Sequence, residues 1–228
     1  VAYLTGFTGT LGYLLVTAEN TYLLTDFRYL EQAGVQAKHC EIVDVSGSAW
    51  KRIADLLQGE GINALAVESD HVTVDTLEKM KVAMAGIRLD FRVSPVNALR
   101  NVKSASEVAA IAAAVGLGDE AFEHILSFIK PGVRERDLAL ELEFFMRRQG
   151  ASGLSFDSIV ASGYRSALPH GVASDKRLEL GDAVVMDFGC ILDGYCSDLS
   201  RTVFVGQASG KQKEVYDAVL SAQRSALA

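Results

Sequence analysis

The sequence predicts two consecutive domains, an α/β domain over residues 1–98 and an α+β domain over residues 99–228. Through the first domain, apolar runs of strand length alternate with segments of helical period, which is the pattern of a mixed α/β layer. Ser104 and Glu107 then form a capping box that opens a long helix. After Gly150 the pattern changes to short strands separated by Gly- and Ser-rich turns, as expected for an α+β domain.

The first domain is expected to contain five strands and three helices. The uncharged opening, residues 1–16, is interpreted as a core strand and turn because glycines interrupt it and it is too short to span a bilayer. Asp26 is predicted to cap a helix from Phe27 to Ala37. The remaining elements are strands over 12–16, 21–25, 41–45, 64–67 and 88–93, and helices over 49–58 and 74–84.

Two long helices are expected at the start of the second domain. The first runs to Ile129, and its predicted buried face consists of Val108, Ile111, Val115, Phe122, Ile125 and Ile129. The second runs from Glu135 to Gln149. Its acidic residues are interpreted as a solvated face, namely Glu135, Asp137, Glu141 and Glu143. A last helix is expected to begin near Gly210.

Composition excludes several classes of protein. The net charge of −7 argues against a nucleic-acid-binding surface, because phosphate contacts need clustered Lys and Arg. No segment reaches transmembrane length, so no membrane partner is expected. The cysteines Cys40, Cys190 and Cys196 are odd in number and lack a C-x-x-C spacing, which favours a reducing, cytoplasmic compartment.

The stretch that bears on function is a hairpin over residues 181–205, which carries Asp187 and Asp198 in otherwise apolar runs. The Asp193-Gly194 pair between them is a strong signal for a two-residue turn. In the register that such a turn sets, Gly189 lies opposite Asp198. Asp187, two residues from Gly189, then leaves the same face, with Cα atoms of the two aspartates roughly 7–8 Å apart.

Two interpretations of this pair remain open at this point. Asp187 and Asp198 could hold a divalent cation in the hollow over Gly189, because two facing carboxylates repel each other without one. Alternatively, both could be hydrogen-bonded to backbone or to Arg201. A three-residue loop would also move Asp198 to the other face.

His170 is the remaining candidate. It lies between Pro169 and Gly171 in a loop that joins strand-like segments, and these neighbours fix an unusual backbone path. A histidine in such a loop is more often an ordinary surface residue than a functional one.

These residues together resemble a known family. The motifs, each quoted as it stands, are Ala161-Ser162-Gly163, Ser166-Ala167-Leu168-Pro169-His170-Gly171, Gly181-Asp182, Asp187-Phe188-Gly189 and Gly194-Tyr195-Cys196-Ser197-Asp198-Leu199-Ser200-Arg201-Thr202. They are similar to the pita-bread metallopeptidases, in particular the Xaa-Pro dipeptidase (prolidase) and aminopeptidase P branch. Tyr3–Gly9, Leu24–Tyr29 and Leu99–Glu107 resemble that branch's N-terminal domain and interdomain linker.

The resemblance implies a creatinase/prolidase-like α/β domain followed by a pita-bread catalytic domain. It implies that Asp187 and Asp198 are metal ligands and that His170 is the substrate-side histidine. It implies two divalent ions, manganese, cobalt or zinc, which share an activated water in the manner of two-metal hydrolases. It also implies a proline-containing di- or oligopeptide as substrate and, as an expectation from the resemblance alone, a homodimer.

The sequence departs from the family pattern after the hairpin. The family's further His and two Glu ligands have no matching motif here, because no His follows His170 and the later Glu179 and Glu214 lie outside such motifs. The 228 residues are therefore expected to be a fragment whose pita-bread domain is incomplete at the C-terminus, inactive and metal-free or weakly metallated. Alternative functions are a metal-free creatinase-like hydrolase and a non-catalytic pita-bread binding module.

Overall fold

The computed structural model describes residues 1–227 and divides them into two compact units, Val1–Asn101 and a second unit from Val102 onward. In the described residues, no helix is both long and apolar enough to cross a lipid bilayer. The two units are described separately below.

The first unit contains ten helices and strands among its described residues, eight of them in the alternating order that the sequence predicts. They are α1 Ala2–Thr5, β1 Tyr13–Val16, β2 Thr21–Thr25, α2 Leu30–Gln36, β3 Glu41–Asp44, α3 Ala49–Gly59, β4 Ala64–Glu68, α4 Val74–Ala83, β5 Arg88–Arg92 and α5 Pro95–Asn101. β1 and β2 pair antiparallel, whereas β2 with β3 and β4 with β5 pair parallel.

Helices cover both faces of the central strand β2. Tyr22 and Leu24 pack into a core with α3 and α4, while Leu23 packs on the opposite side with Ala33 of α2. Because strand side chains alternate between faces, a strand covered on both sides reads as a continuous apolar run. The α/β prediction for this unit is therefore confirmed.

The opening of the chain differs from the prediction. Residues 1–16 were expected to form a strand and turn, but α1 occupies the start and ends at Gly6, which has a φ of 75°. The following loop wraps around the buried ring of Phe7. A Cβ at Gly9 or Gly12 would collide with or press against that ring, so the glycines permit close wrapping rather than a turn between strands.

The helix expected from Phe27 begins instead at Leu30. Asp26 is not its cap, because the Asp26 carboxylate accepts hydrogen bonds from the backbone N–H and the guanidinium of Arg28. These bonds hold residues 26–29 in a turn, and Tyr29 occupies the N-cap position. The short helix α5 was not predicted, although a proline at the first helical position is a known start signal.

A 3₁₀ helix over Gly163–Ala167 lies in the second unit. Among the described residues, this unit also contains three α-helices and six strands. They are α6 Ala105–Leu126, α7 Glu135–Arg148, β6 Gly153–Leu154, β7 Ile159–Ser162, β8 Ala183–Phe188, β9 Cys190–Leu192, β10 Tyr195–Cys196, β11 Leu199–Phe204 and α8 Gly210–Leu227. All its strand pairs are antiparallel, in the orders β11-β8-β7 and β10-β9-β6. α6 and α7 pack on one face of these strands.

The capping box is confirmed. Ser104 Oγ accepts a hydrogen bond of 3.3 Å from the Glu107 N–H, and the Glu107 carboxylate accepts one of 2.7 Å from the Ser104 N–H. The predicted buried face of α6 is correct at Ile125, and Phe122 packs against the core, but it is wrong at Val108 and Val115, which are exposed. The helix buries small residues instead, namely Ala114, Gly118 and Ala121, together with Leu117 and Ile125.

The burial of small residues on α6 has a packing reason. The ideal Cβ position at Gly118 is 2.5 Å from Leu199 Cδ1, so α6 lies against β11 more closely than any larger side chain would permit. Close packing fills the core more completely than a face of large residues held further away.

Candidate active site

A two-residue turn closes the hairpin between β9 and β10. Its central residues Asp193 and Gly194 both have positive φ, 50° and 81°, as a type I′ turn requires. Leu192 consequently pairs with Tyr195, as the sequence predicts.

The register that this turn sets continues into β8 and β11. Phe188 pairs with Leu199, and Asp187 pairs with Ser200. Counting back from these pairs toward the turn places Gly189 opposite Asp198. The predicted register is confirmed, and the alternative three-residue loop is wrong.

Asp187 and Asp198 lie on the face of the sheet away from the helices. Phe188 and Leu199, their respective neighbours, are buried in the core with α6 and α7, so the aspartates point the other way. Asp187 is half-buried and Asp198 is exposed. A regular antiparallel ladder places the Cα atoms of two such diagonal neighbours about 7–8 Å apart.

The space over Gly189 differs from the expected hollow. A Cβ on Gly189 would collide with the backbone carbonyl oxygen of Ser197. The ladder is interrupted at this point, because the Cys190 N–H donates to Ser197 Oγ at 3.1 Å. Glycine is therefore required for the close approach of two backbones, and a carbonyl oxygen occupies the position next to the aspartates.

Arg201 does not neutralise the two aspartates, so the structure does not support that alternative. Arg201 Nη2 donates to Asp119 Oδ1 at 2.7 Å, and the guanidinium lies over the ring of Phe122 on α6. Asp187 accepts one hydrogen bond of 3.1 Å, from Ser200 Oγ. Among residues 1–227, the Asp198 carboxylate has no hydrogen-bond or ion-pair partner.

The donor chemistry of this face fits a hard divalent cation in part. Carboxylate oxygens are ligands that such ions favour, and one of the two carboxylates is unpartnered. A metal site needs about four to six ligands, however. No group of three or more His, Cys, Asp or Glu side chains in the described part of the chain is arranged to hold a metal ion. The described residues thus offer two carboxylates, which is fewer than the ligand set that such a site needs.

His170 lies in an exposed turn of the segment that follows β7. Its carbonyl oxygen accepts a hydrogen bond of 2.9 Å from the Val172 N–H. Val172 forms an isolated bridge with Ile159, which in turn pairs with Asp187. Two strand spacings therefore separate Val172 from Asp187, about 10 Å.

One buried carboxylate beside this segment was not identified from the sequence. Glu135, expected on a solvated helix face, is 0% exposed. Its Oε1 accepts hydrogen bonds from the N–H and Oγ of Ser162 at 2.7 and 2.8 Å. Its Oε2 accepts from Arg165 Nε at 3.0 Å and from the N–H and Oγ of Ser174 at 3.1 and 2.6 Å. Every donor comes from residues 162–174, which include His170.

These donors decide the charge of Glu135. Burial is the largest influence and by itself would raise the pKa of the carboxyl, but the hydrogen bonds from Ser174 and Ser162 together outweigh it. The pKa of Glu135 is therefore lowered, and the side chain is an anion at neutral pH.

A second ion pair lies under the same segment. Lys176 Nζ donates to Asp182 Oδ2 at 2.6 Å and to Ser162 Oγ at 3.0 Å, and both members of the pair are largely buried. The Asp182 carboxylate also packs against Gly163, where a Cβ would come within 2.5 Å of Oδ1. The beginning of the His170 segment is thus bound by two acidic anchors.

Two family descriptions match the chain. Metallopeptidase family M24 matches residues 109–228, and the Creatinase/Prolidase N-terminal domain matches residues 1–102.

Similar proteins include a peptidase of Bacillus subtilis, 47% identical over 98% of this chain and 63% of the relative. Among solved structures, a Xaa-Pro dipeptidase from Bacillus anthracis superposes with a TM-score of 0.93 at 47% identity, over 97% of this chain and 62% of that one. An X-Pro aminopeptidase from Thermotoga maritima gives a TM-score of 0.92 at 36% identity, over 98% and 63%. The chain thus spans somewhat less than two thirds of the length of these relatives.

Proposed function

Because the chain belongs to metallopeptidase family M24 and carries a creatinase/prolidase N-terminal domain, we propose that the protein is a metal-dependent exopeptidase that cleaves Xaa-Pro bonds. The fold predicted from the sequence, a creatinase-type α/β domain followed by a pita-bread domain, is confirmed by these matches and by the solved relatives. The observation that carries the functional proposal is the hairpin register, which brings Asp187 and Asp198 to one open face.

In this proposal Asp187 and Asp198 are metal ligands. Bound at these carboxylates, a pair of divalent cations supplies Lewis-acid chemistry, which makes water more acidic and polarises a carbonyl. The two aspartates are suited to this role because the antiparallel ladder fixes the backbone at Asp187 and at Leu199, the residue next to Asp198, before any ion binds. Ser200 Oγ holds one oxygen of Asp187 and leaves the other free for a ligand bond.

His170 acts on the substrate side. Its ring is exposed at the tip of a turn, so it can donate an N–H to the scissile carbonyl oxygen as negative charge develops there. A donor of this kind contributes about 3 kcal/mol to transition-state stabilisation, which corresponds to roughly 100- to 1000-fold in kcat. Loss of His170 should therefore lower kcat more than it changes KM.

Two alternative functions are a metal-free creatinase-like hydrolase and a non-catalytic pita-bread binding module. Neither needs an unpartnered carboxylate beside a second one on an open sheet face, so the arrangement of Asp187 and Asp198 favours the metallopeptidase. A homodimer and a cytoplasmic location remain predictions.

The assay uses protein expressed from its complete reading frame, supplied in turn with Mn²⁺, Co²⁺ or Zn²⁺. Release of free amino acid from Gly-Pro and from a Gly-Pro-peptide separates a dipeptidase from an aminopeptidase. We expect turnover of at least one substrate and its loss with chelator. No turnover with any of the three ions would refute the proposal.

Variants of the hairpin test the metal ligands. We expect Asp187→Asn and Asp198→Asn each to lower kcat/KM by at least about 100-fold, because ligand loss costs no less than loss of a residue that only orients a ligand. Asp193→Asn is the matched control, since it removes an exposed carboxylate from the same hairpin and keeps a residue that tolerates positive φ. Full activity of Asp198→Asn would contradict the assignment.

The 228-residue chain by itself is proposed to be inactive and to bind metal weakly or not at all, because two carboxylates do not complete a site. Elemental analysis after dialysis should find less than one ion per chain. A tightly held stoichiometric ion in this chain would contradict the proposal.

A further inference from the structure

We propose that Glu135 and Arg165 are positioning residues, which hold the segment carrying His170 in the conformation that presents its imidazole to the substrate. The inference rests on the proposed role of His170 and extends it to residues that do not touch the substrate.

Apolar packing does little to hold the segment. Between Gly163 and Ala173 the large apolar side chains are mostly exposed, namely Tyr164, Leu168 and Val172. Only Gly171 in this stretch is buried. Segments with few buried apolar contacts open at low free-energy cost unless polar bonds restrain them.

Arg165 provides the restraint across the segment. Its Nε donates to Glu135 Oε2 at 3.0 Å, and its Nη2 donates to the Val172 carbonyl oxygen at 2.7 Å. One planar guanidinium therefore joins residues 165 and 172, and His170 lies inside the loop that this contact closes. The rigid fork of an arginine makes both bonds at once, which a lysine cannot do.

Glu135 is the fixed point for this restraint. It is the first residue of α7, whose Leu138, Leu142 and Met146 are buried in the core of the second unit. Its carboxylate accepts bonds from Ser162, immediately before the segment, and from Ser174, immediately after it. Both ends of the segment and its internal cross-link thus converge on one side chain.

The chemistry of this anchor favours positioning over simple stabilisation. Removing a carboxylate from water is costly, and well-packed apolar residues often stabilise a fold as well or better. Glu135 is a buried anion that receives five hydrogen bonds, one from the segment and four from the two residues that flank it. Each bond fixes a direction, which apolar packing cannot do.

The first test measures the segment itself. In protein from the complete reading frame, Arg165→Met removes both bonds and keeps an apolar stem. Arg177→Met is the matched control, because Arg177 donates to the Gly132 carbonyl oxygen but not across the segment. We expect amide hydrogen exchange over residues 163–173 to accelerate at least about 10-fold in Arg165→Met and to stay unchanged in Arg177→Met. Unchanged exchange in Arg165→Met would overturn the proposal.

The second test measures Xaa-Pro hydrolysis. We expect Arg165→Met to lower kcat about 10- to 100-fold with little change in KM, and Arg165→Lys to restore part of the loss. Added to His170→Ala, the Arg165→Met change should cost less than about 3-fold, since the group it positions is already absent. A purely structural role would give the same loss in both backgrounds.

The outcomes separate this inference from the proposed function. If His170→Ala lowers kcat but Arg165→Met does not, or if their losses multiply, the positioning role is wrong while the role of His170 stands. If His170→Ala leaves kcat unchanged, both roles are wrong. Glu135→Gln provides a second variant, expected to change exchange and kcat in the same direction as Arg165→Met but to a smaller extent, because its amide oxygen can keep the Arg165 bond while the Ser162 N–H loses its partner.

Discussion

Replacing Glu135 by glutamine should destabilise the second unit although the two side chains have nearly the same shape. The carboxylate accepts five hydrogen bonds and donates none. An amide has one acceptor oxygen and one NH₂ group, so whichever way it turns, the NH₂ group faces N–H donors.

The size of this destabilisation follows from the orientation of the substituted amide that costs the least free energy. If the amide oxygen takes the place of Oε2, it keeps the bonds from Arg165 and Ser174, and the NH₂ group faces Ser162. The Ser162 hydroxyl can rotate to accept, but the fully buried Ser162 N–H loses its partner, which costs about 1–3 kcal/mol. Loss of the charge on the remaining bonds adds about 1 kcal/mol. The total is about 2–4 kcal/mol.

The assay is urea denaturation followed by circular dichroism at pH 7, with thermal unfolding as a second measurement. For a protein of this size, 2–4 kcal/mol corresponds to a fall in Tm of roughly 5–15 °C. Asp175→Asn is the control, because Asp175 pairs with Arg134 and Arg136 at an exposed site. Its loss should cost less than about 1 kcal/mol.

The same variant predicts a pH dependence. The folded pKa of Glu135 lies below its ordinary value of 4.5, so its ionised form stabilises the fold above that pH. This contribution is lost as the pH falls from about 4.5 through the lower folded pKa. The stability difference between wild type and Glu135→Gln should therefore shrink below pH 4.5. A variant within 1 kcal/mol of wild type at pH 7, or a difference that does not shrink in acid, would refute the account of Glu135 as an ionised anchor.

Two further predictions concern other sites. Gly189→Ala should destabilise the protein by about 3 kcal/mol or more in urea denaturation, because the new Cβ collides with backbone atoms. Gly153→Ala is the control and should cost less than about 1 kcal/mol, because no atom lies nearer than 4.0 Å to its new Cβ. Equal effects of the two variants would contradict the close approach at Gly189. The Tyr22 hydroxyl donates to Glu60 at 2.5 Å, and this bond is the main reason why the pKa of Tyr22 is raised to about 12. The contribution of this bond to stability is present below pH 10 and is lost as the pH rises to 12. The stability advantage of wild type over Tyr22→Phe should therefore disappear in that range. An advantage that persists at pH 12 would contradict the assignment of the raised pKa to the Glu60 bond.

The hairpin could be predicted from the sequence because its information is local. An Asp-Gly pair specifies a two-residue turn, the turn fixes the register, and the period of two assigns each later residue to a face. Asp187 and Asp198 could therefore be placed together without any structure. What counting could not predict is the distortion at Ser197, where a backbone carbonyl fills the space expected to be empty.

The helix faces show where local patterns fail. Helical periodicity identified α6 and the burial of Ile125 correctly, but the assumption that large apolar residues are buried failed at Val108 and Val115. The residues 109–118 are mostly Ala and Gly, and this run of small side chains was the available signal for a helix packed closely against the sheet. Side-chain size decides the face here because close packing depends on shape as well as hydrophobicity.

Glu135 could not be identified as buried from its own surroundings in the sequence. It lies among other acidic residues at the start of a helix. The helix dipole stabilises a carboxylate at this position, and such a carboxylate is normally solvated. Its partners lie 27 to 39 residues further along the chain. Only the tertiary fold brings Ser162 and Ser174 to it, so long-range polar networks of this kind are found in coordinates and not in patterns.

The two halves of the proposed site are thus held by different physical means. The antiparallel ladder positions Asp187 and, through the adjacent Leu199, the backbone next to Asp198, so substitution of distant side chains should leave both aspartates in place. His170 depends on side-chain bonds that converge on Glu135. Mutations in the Glu135 network should therefore impair catalysis while metal affinity is retained, whereas distortion of the hairpin at Gly189 should abolish both. A Glu135 variant of the complete protein that loses its metal would show that the two halves are not independent.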